Sequence, residues 1–124
     1  IPVAPDVGAS KKMEKICTEL DIPYFIQGTK HRDLKTGELT GFSYYGDVED
    51  KDLVIIDDIG DGMGTFLGLA KELYEGGALT VSVCVTHGIF SKGVDMIYEG
   101  GITKLYTTDT FYNGNDNRTL CVNL

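Results

Sequence analysis

Two adjacent carboxylates and a glycine-rich turn form the most chemically suggestive stretch of this 124-residue chain. Asp57 and Asp58 follow an apolar, β-branched run, and the turn after them leads to Thr65. Three glycines are spaced along that turn: Gly60, Gly62 and Gly64. Because glycine allows positive φ angles and close backbone approach, we expect successive N–H groups there to converge on an anion. A helix that begins at Thr65 would bring its N-terminus to the same point, which favours a phosphate.

The two acids limit what this turn can bind. Asp57 and Asp58 would repel a phosphate placed directly against them, so they indicate hydroxyl ligands or a bridging divalent cation beside the anion. A P-loop is excluded because no Gly-Lys-Ser/Thr follows. The dinucleotide fingerprint also fails, since Thr65 stands where the third glycine belongs and the next strand ends at Thr86-His87 without an acid. A tight connection between a strand and a helix, with no ligand, is the remaining alternative.

The elements that would position these residues alternate between strands and helices. Apolar runs predict strands over residues 1–4, 21–27, 52–56, 78–85, 102–106 and 119–122, the third of them ending at Asp57. Helical spacing predicts helices over residues 9–20, 65–74 and 91–98. This alternation predicts an α/β domain, a parallel sheet flanked by helices. Ligands of such sheets bind beyond the carboxyl ends of the strands, where four candidate residues lie: Asp6, Asp57, Asp58 and His87.

Two cationic clusters interrupt a chain whose net charge is −8. The first lies on the first helix, where Ser10 is a candidate cap and Leu20 completes an apolar side with Met13, Ile16 and Cys17. Its lysines are expected to form a solvated face: Lys11, Lys12 and Lys15. The second cluster, Lys30-His31-Arg32 with Lys35, falls in residues 28–50, which are expected to form a flexible β-hairpin. A segment of this length between core elements is usually functional; an exposed charged tip is the alternative.

Composition narrows the class of protein further. The acidic balance argues against a nucleic-acid surface, and no apolar run approaches the roughly 20 residues of a membrane span. Three widely separated cysteines without paired spacing indicate reduced thiols in a cytoplasmic protein. The length suits one domain, residues 1–124, and residues 113–117 are expected to form a surface loop.

The strand, the acid pair, the glycine-rich turn and Thr65 resemble the phosphoribosyl pyrophosphate motif of type I phosphoribosyltransferase folds. The ordered set of motifs is similar to one branch of them, ribose-phosphate diphosphokinase, also called phosphoribosyl pyrophosphate synthetase. That family carries a Ser-Pro-Asp-x-Gly segment, a Lys-x-Arg loop, a Gly-Asp-Val segment, the acid-pair loop and a Thr-His segment. In this chain they correspond to residues 4–8, 30–32, 46–48, 57–65 and 86–87.

The resemblance implies a phosphoribosyltransferase-like domain that forms the carboxy-terminal half of a two-domain enzyme, and the absence of a starting Met agrees with an excised piece. It implies that the β,γ-diphosphate of ATP moves to the anomeric hydroxyl of ribose 5-phosphate, which gives phosphoribosyl pyrophosphate and AMP. It also implies Mg²⁺ as cofactor and a homo-oligomeric full-length enzyme, with the isolated chain inactive.

The resemblance assigns roles to individual residues. Asp57 and Asp58 would accept hydrogen bonds from the ribose hydroxyls and help to hold Mg²⁺, with Asp6 a weaker metal candidate. Lys30 and Arg32 of the mobile loop would stabilise charge during transfer, whereas His31 and His87 receive no catalytic role. The 5-phosphate would be bound by Asp61, Gly62, Met63, Gly64 and Thr65. One departure concerns Gly62, because the family loop usually reads Asp-Thr-Gly-Gly-Thr or Asp-Thr-Ala-Gly-Thr and so carries a hydroxyl there.

Two other functions use the same motif. A type I phosphoribosyltransferase would consume phosphoribosyl pyrophosphate together with a base, and no segment can be assigned to the hood that recognises such a base. A non-catalytic regulatory relative would keep the fold and lose the loop cations. The presence of Lys30 and Arg32 counts against it.

Overall fold

A computed structural model describes residues 1–112, 114 and 118–123. Within these residues, seven strands form one sheet: β1 (Pro2–Ala4), β2 (Ile26–Arg32), β3 (Leu39–Tyr45), β4 (Asp52–Gly60), β5 (Thr80–Gly88), β6 (Ile102–Thr108) and β7 (Thr119–Val122). The helices are α1 (Ser10–Glu19), α2 (Gly64–Glu75) and α3 (Asp95–Glu99). The strand order is β3-β2-β1-β4-β5-β6-β7, and only the β2–β3 hairpin pair is antiparallel in the part of the chain described. The predicted α/β fold is therefore confirmed.

The core lies on both faces of the central strands. On one face, the alternate apolar residues of β4 and β5 pack against α2: Leu53, Ile55, Val81, Val83, Phe66, Leu69 and Leu73. On the other face, α1 contributes Met13 and Cys17, and Ile56 of β4 packs against them. Burying each large apolar side chain contributes about 1.5–3 kcal/mol, which fixes the faces on which the apolar residues of β4 lie. Because side chains alternate along a strand, the faces of the later residues of β4 are then fixed as well.

Strand β4 is longer than the sequence predicted. It does not end at Asp57 but continues to Gly60, because β5 also continues and pairs Ile59 with His87 and Gly60 with Gly88. The Gly60 carbonyl then accepts hydrogen bonds from the N–H groups that follow β5, at 2.8 Å from Ile89. Pairing between strands thus overrides the weak strand preference of the acids. The carboxylates consequently stand on a strand and not in a loop.

Strand β2 begins five residues later than predicted, at Ile26 and not at Asp21. Asp21 takes a positive φ of 56° at the end of α1, and Pro23 lacks the N–H group that a ladder requires. The strand instead runs on through Arg32 and forms the predicted hairpin with β3. Lys30 therefore lies on a regular strand. The flexibility of the hairpin stays a prediction.

The helices also depart from the expected bounds. Ser10 does not cap α1 through its side chain: its hydroxyl donates to Gln27 at 2.8 Å, while Asp6 caps the short 3₁₀ turn before the helix. Leu20 was expected on the apolar side but is 66% exposed, since the helix ends before it. Helix α3 is shorter than residues 91–98, because Gly93 takes a φ of 82°. Strand β7 has the predicted bounds, whereas the predicted loop 113–117 lies, apart from residue 114, outside the described residues.

Candidate functional site

Three carboxylates meet at the carboxyl ends of β1 and β4. Strand β1 pairs with β4 in parallel, with Val3 opposite Ile55, so Asp6 follows β1 beside the end of β4 that carries Asp57 and Asp58. Asp57 is partly buried, and its Oδ1 accepts a hydrogen bond from the Asp58 N–H at 2.8 Å. Burial raises the pKa of Asp57, and the charges of Asp6 and Asp58 raise it further. The charges of Asp6 and Asp58 therefore act on the Asp57 carboxylate, as the prediction of a shared site requires.

Two lysines approach this acid group from different elements. Lys30 of β2 lies 3.3 Å from Asp6 Oδ2, and Lys12 of α1 forms an ion pair and hydrogen bond with Asp58 Oδ1. Asp6 also caps the 3₁₀ turn, since its Oδ1 accepts from the Ala9 N–H at 3.1 Å. Both oxygens of Asp6 are thus occupied. The oxygens Oδ2 of Asp57 and of Asp58 have no hydrogen-bond partner among the described residues.

The sequence interpretation placed Lys12 on a solvated face but missed its contact with Asp58. Lys11, Lys12 and Lys15 are all exposed as expected, and Lys15 pairs with Glu19 at 3.9 Å. Lys12, however, stands three residues after the buried Ala9 and four before Ile16, so it flanks the buried side of α1. That spacing was the available signal. What the sequence could not show is that the end of β4 faces this flank.

The turn between β4 and α2 has an unexpected backbone. The glycines of the turn allow positive φ, but positive φ occurs at Met63, with φ 67° and ψ 6°, and at none of Gly60, Gly62 and Gly64. Met63 is only 4% exposed, and its burial offsets the strain of the left-handed conformation. Its sulfur occupies the space beside Gly60, where an added Cβ would lie 3.0 Å from it. A side chain at position 60 would require this neighbour to shift, so Gly60 serves close packing there and not a positive φ.

Helix α2 begins directly after this turn, so the turn and the first N–H groups of the helix are adjacent. Met63 is the N-cap and makes no side-chain capping hydrogen bond. Within the described part of the chain, the N–H groups of Gly64 and Thr65 make no backbone hydrogen bond, as the first turn of a helix requires. Asp61 Oδ1 accepts from the Ser91 N–H at 3.1 Å, which ties the turn to the segment after β5. These donors and the helix dipole together suit an anion.

The two expected cations of the hairpin have different surroundings. Lys30 reaches the acid group, as described, whereas the Arg32 guanidinium donates to the Gly37 carbonyl at 2.9 Å at the far end of the hairpin. The hairpin turn is held by Asp33, whose carboxylate accepts from the N–H groups of Lys35 and Thr36. Those hydrogen bonds hold the pKa of Asp33 below its usual value. The structure thus brings Lys30 to the carboxylates but does not bring Arg32.

His87 lies at the end of β5, beside β4. Its Nδ1 is 2.8 Å from the Thr110 hydroxyl, and its ring contacts Phe111 edge-to-face with 5.7 Å between centroids. The Thr108 hydroxyl donates to the Thr86 carbonyl at 2.6 Å in the same region. These contacts hold His87 among the residues that follow β5 and β6. They give it no contact with the acid group.

The carboxylates at this edge of the sheet are candidate ligands for a metal ion. Within the described residues, no group of three or more His, Cys, Asp or Glu side chains is arranged to hold one. Mg²⁺, however, is commonly bound through one or two carboxylates together with substrate phosphates and water. Asp57 and Asp58 each keep one oxygen of the hard type that this ion prefers. The residues therefore fit a cation whose coordination is completed by a phosphorylated ligand.

Comparison with known proteins gives a consistent result. The family described as "Phosphoribosyl synthetase-associated domain" matches residues 9–120. Ribose-phosphate pyrophosphokinase 2 of Schizosaccharomyces pombe is 34% identical over 120 residues, which cover 96% of this chain and 36% of that protein. The ribose-phosphate pyrophosphokinase of Campylobacter jejuni is 34% identical over 86% of this chain and 34% of its own length. The chain thus spans about a third of these curated relatives.

Solved structures agree. Phosphoribosylpyrophosphate synthetase from Mycobacterium smegmatis superposes with a TM-score of 0.83 and 25% identity, covering 98% of this chain and 40% of that one. A purine phosphoribosyltransferase from Pyrococcus horikoshii gives a TM-score of 0.52 at 16% identity, covers 98% of this chain and 74% of that one, and shows the shared fold alone. Among the described residues, no helix is both long enough and apolar enough to cross a membrane.

Proposed function

We propose, because the chain belongs to the phosphoribosyl synthetase-associated domain family, that it is the ribose 5-phosphate-binding domain of a ribose-phosphate diphosphokinase. In the proposed reaction the anomeric oxygen of ribose 5-phosphate attacks the β-phosphorus of ATP. The bond from that phosphorus to the α,β-bridging oxygen breaks, AMP leaves, and the anomeric hydroxyl loses its proton. The products are phosphoribosyl pyrophosphate and AMP. The named relatives, all ribose-phosphate pyrophosphokinases, support this assignment.

One observation carries the proposal: the carboxylates of β4, the N-terminus of α2 and the ammonium of Lys30 share one edge of the sheet. The free oxygens of Asp57 and Asp58 suit sugar hydroxyls, which donate hydrogen bonds. The N–H groups of Gly64 and Thr65 suit the 5-phosphate. A ligand that carries hydroxyls at one end and a phosphate at the other satisfies both sets. Ribose 5-phosphate is such a ligand.

The transferring group requires positive charge, and we assign that role to Lys30 and Arg32. Phosphoryl transfer depends mainly on positioning and electrostatic stabilisation, so cations near the moving oxygens matter most in the transition state. Lys30 contacts Asp6 at 3.3 Å and its side chain is 27% exposed, so a ligand oxygen can reach the ammonium and replace Asp6 as its partner. Arg32 must first release the Gly37 carbonyl. The proposal therefore includes a movement of the hairpin when ligands bind.

Mg²⁺ is the proposed cofactor, held by Asp57 and Asp58 together with ligand oxygens. When bound, it would neutralise charge on the diphosphate. Asp6 is the weaker ligand because Lys30 and the Ala9 N–H already occupy its two oxygens. In this proposal, Asp57 and Asp58 also orient the sugar when no cation is bound.

The remaining parts of the proposal concern the larger protein. Because the chain spans about a third of its relatives, we place most of the ATP site outside it, so the isolated chain should form negligible AMP. We also propose that the enzyme is a homo-oligomer that acts in the cytoplasm, without nucleic-acid partners. The cysteines support the proposed cytoplasmic location, because all three lie in the described residues as free thiols: Cys17, Cys84 and Cys121.

Calorimetric titration with ribose 5-phosphate tests the proposed site. Wild type should bind the sugar phosphate, and Asp58→Ala should weaken binding by about tenfold or more, because a hydrogen bond to a charged group is lost. Asp47→Ala is the matched control, since Asp47 is also exposed and also paired with a lysine, Lys51 at 3.1 Å, but lies away from the turn. Equal affinity in wild type and Asp58→Ala, or no heat with wild type, would contradict the assignment.

A further inference from the structure

We propose that Lys12 is a positioning residue, which holds the Asp58 carboxylate in place for the sugar hydroxyls; the inference rests on the proposed function of this site. The two residues are 46 positions apart in the chain, and their contact joins α1 to the carboxyl end of β4. The resemblance implies no role for Lys12. The contact itself places the Lys12 ammonium against Asp58 Oδ1.

Asp58 needs a partner to be held in one conformation. Its side chain is 62% exposed, and within the described residues Lys12 is the one side chain that binds it. An exposed carboxylate without a partner samples several rotamers, and ordering it when a ligand binds reduces affinity. Lys12 engages Oδ1 and leaves Oδ2 available. The ion pair therefore orders the carboxylate before the ligand arrives.

Lys12 itself is well anchored. Its neighbour Met13 is 1% exposed and Cys17 is 7% exposed, so this part of α1 is fixed against the sheet. Alternation along β4 directs Asp58 to the same face as Ile56, which packs against α1. Helix and strand thus bring the ammonium and the carboxylate together without any loop. Such a contact can persist while the hairpin moves.

The expected size of the effect follows from the exposure of the two side chains, which is 44% for Lys12 and 62% for Asp58. Since the pair is exposed, its effect is modest. We expect loss of Lys12 to weaken ribose 5-phosphate binding about two- to fivefold.

Calorimetry with four proteins tests the inference: wild type, Lys12→Met, Lys12→Arg and Lys15→Met. Lys12→Met should raise the Kd for ribose 5-phosphate about two- to fivefold, and Lys12→Arg should restore it to within about 1.5-fold of wild type. Lys15→Met removes the same charge from the same helix, but among the residues that the structure describes Lys15 forms its ion pair with Glu19, at 3.9 Å. It should leave the Kd unchanged. Thermal unfolding of each variant confirms that the proteins compared are folded.

Two further measurements separate positioning from simple charge attraction. In an Asp58→Asn background, Lys12→Met should produce no additional weakening, because its partner is already altered. Inorganic phosphate, which lacks hydroxyls on a sugar, should bind wild type and Lys12→Met with similar affinity. If Lys12→Met weakens binding equally in both backgrounds, or weakens inorganic phosphate as much as ribose 5-phosphate, the positioning role is wrong.

The outcomes also distinguish this inference from the proposed function. If wild type binds ribose 5-phosphate and Lys12→Met binds it equally well, the inference fails and the proposed function stands. If wild type does not bind ribose 5-phosphate, the proposed function fails and the inference fails with it. Equal effects of Lys12→Met and Lys15→Met would likewise overturn the role of Lys12.

Discussion

A threonine at position 62 should improve phosphate binding, because the turn has room for it. Gly62 does not have a left-handed φ, and a Cβ added there would meet no atom within 4 Å. A β-branched residue is therefore tolerated at this point of the backbone. The phosphoribosyl pyrophosphate loop usually carries a hydroxyl at this position, which this chain lacks. Gly62→Thr restores the missing donor without displacing a neighbour.

The size of the gain follows from one hydrogen bond. A typical bond contributes about 0.5–1.5 kcal/mol net, so the Kd for ribose 5-phosphate should fall by about two- to tenfold. Replacing a glycine at an unstrained position also stabilises the fold by about 0.4–1 kcal/mol, through the unfolded state. These two effects are independent. Affinity reports the hydroxyl, and unfolding reports the backbone.

Calorimetry and urea unfolding of Gly62→Thr and Gly62→Val separate the two effects. Valine has the shape of threonine without the hydroxyl, so both variants should be as stable as wild type or more so. Only Gly62→Thr should bind ribose 5-phosphate more tightly. If Gly62→Thr and Gly62→Val bind equally, the hydroxyl does not reach the phosphate, and the proposed direction of the turn is refuted.

Three other predictions follow from the same structure. Met63→Gly should relieve about 1 kcal/mol of left-handed strain but lose a buried side chain worth about 2–5 kcal/mol, so urea unfolding should show a net loss of about 1–4 kcal/mol; a gain in stability would contradict this account. In the longer enzyme, Lys30→Ala and Arg32→Ala should each lower turnover about a hundredfold or more while changing the Kd for ribose 5-phosphate much less, and turnover within twofold of wild type would make the hairpin structural. Burial raises the pKa of the Cys17 thiol, so alkylation by iodoacetamide at pH 8, followed by mass spectrometry, should modify Cys121 first. Faster labelling of Cys17 would show that α1 opens readily.

Much of the fold could be predicted because long apolar runs determine which segments form the buried strands. The segments that became β4 and β5 are apolar enough to be buried on at least one face, and β7 was predicted with its observed bounds. The errors lie where pairing or a single residue overrides local preference. Acids at 57 and 58 look like the end of a strand, yet the ladder with β5 continues past them. Pro23 delays β2, and periodicity does not register the missing N–H group.

The sequence predicted where along the chain the candidate site lies, but not which residues contact one another in it. The order of strand, acids, glycines and Thr65 identified the turn, because each type of residue has a chemical reason to be there. Two features depend on tertiary contacts and so were not accessible. The residue with the left-handed backbone is Met63, because its side chain is buried beside Gly60. The partner of Asp58 is Lys12, because α1 packs against β4.

The electrostatic balance of the site bears on the proposal that so acidic a chain binds a phosphate. The net charge is −8, which would by itself oppose an anion. At the site, Lys12 and Lys30 accompany the carboxylates of Asp6, Asp57 and Asp58. The turn adds Asp61, so four negative and two positive charges leave a formal charge of −2. The N-terminus of α2 adds a partial positive charge of roughly one half. More distant acids are screened over about 8–10 Å at physiological salt. The local charge therefore stays negative, so the proposed binding of a phosphate requires the N–H groups of α2, the two lysines and the proposed Mg²⁺ to act together.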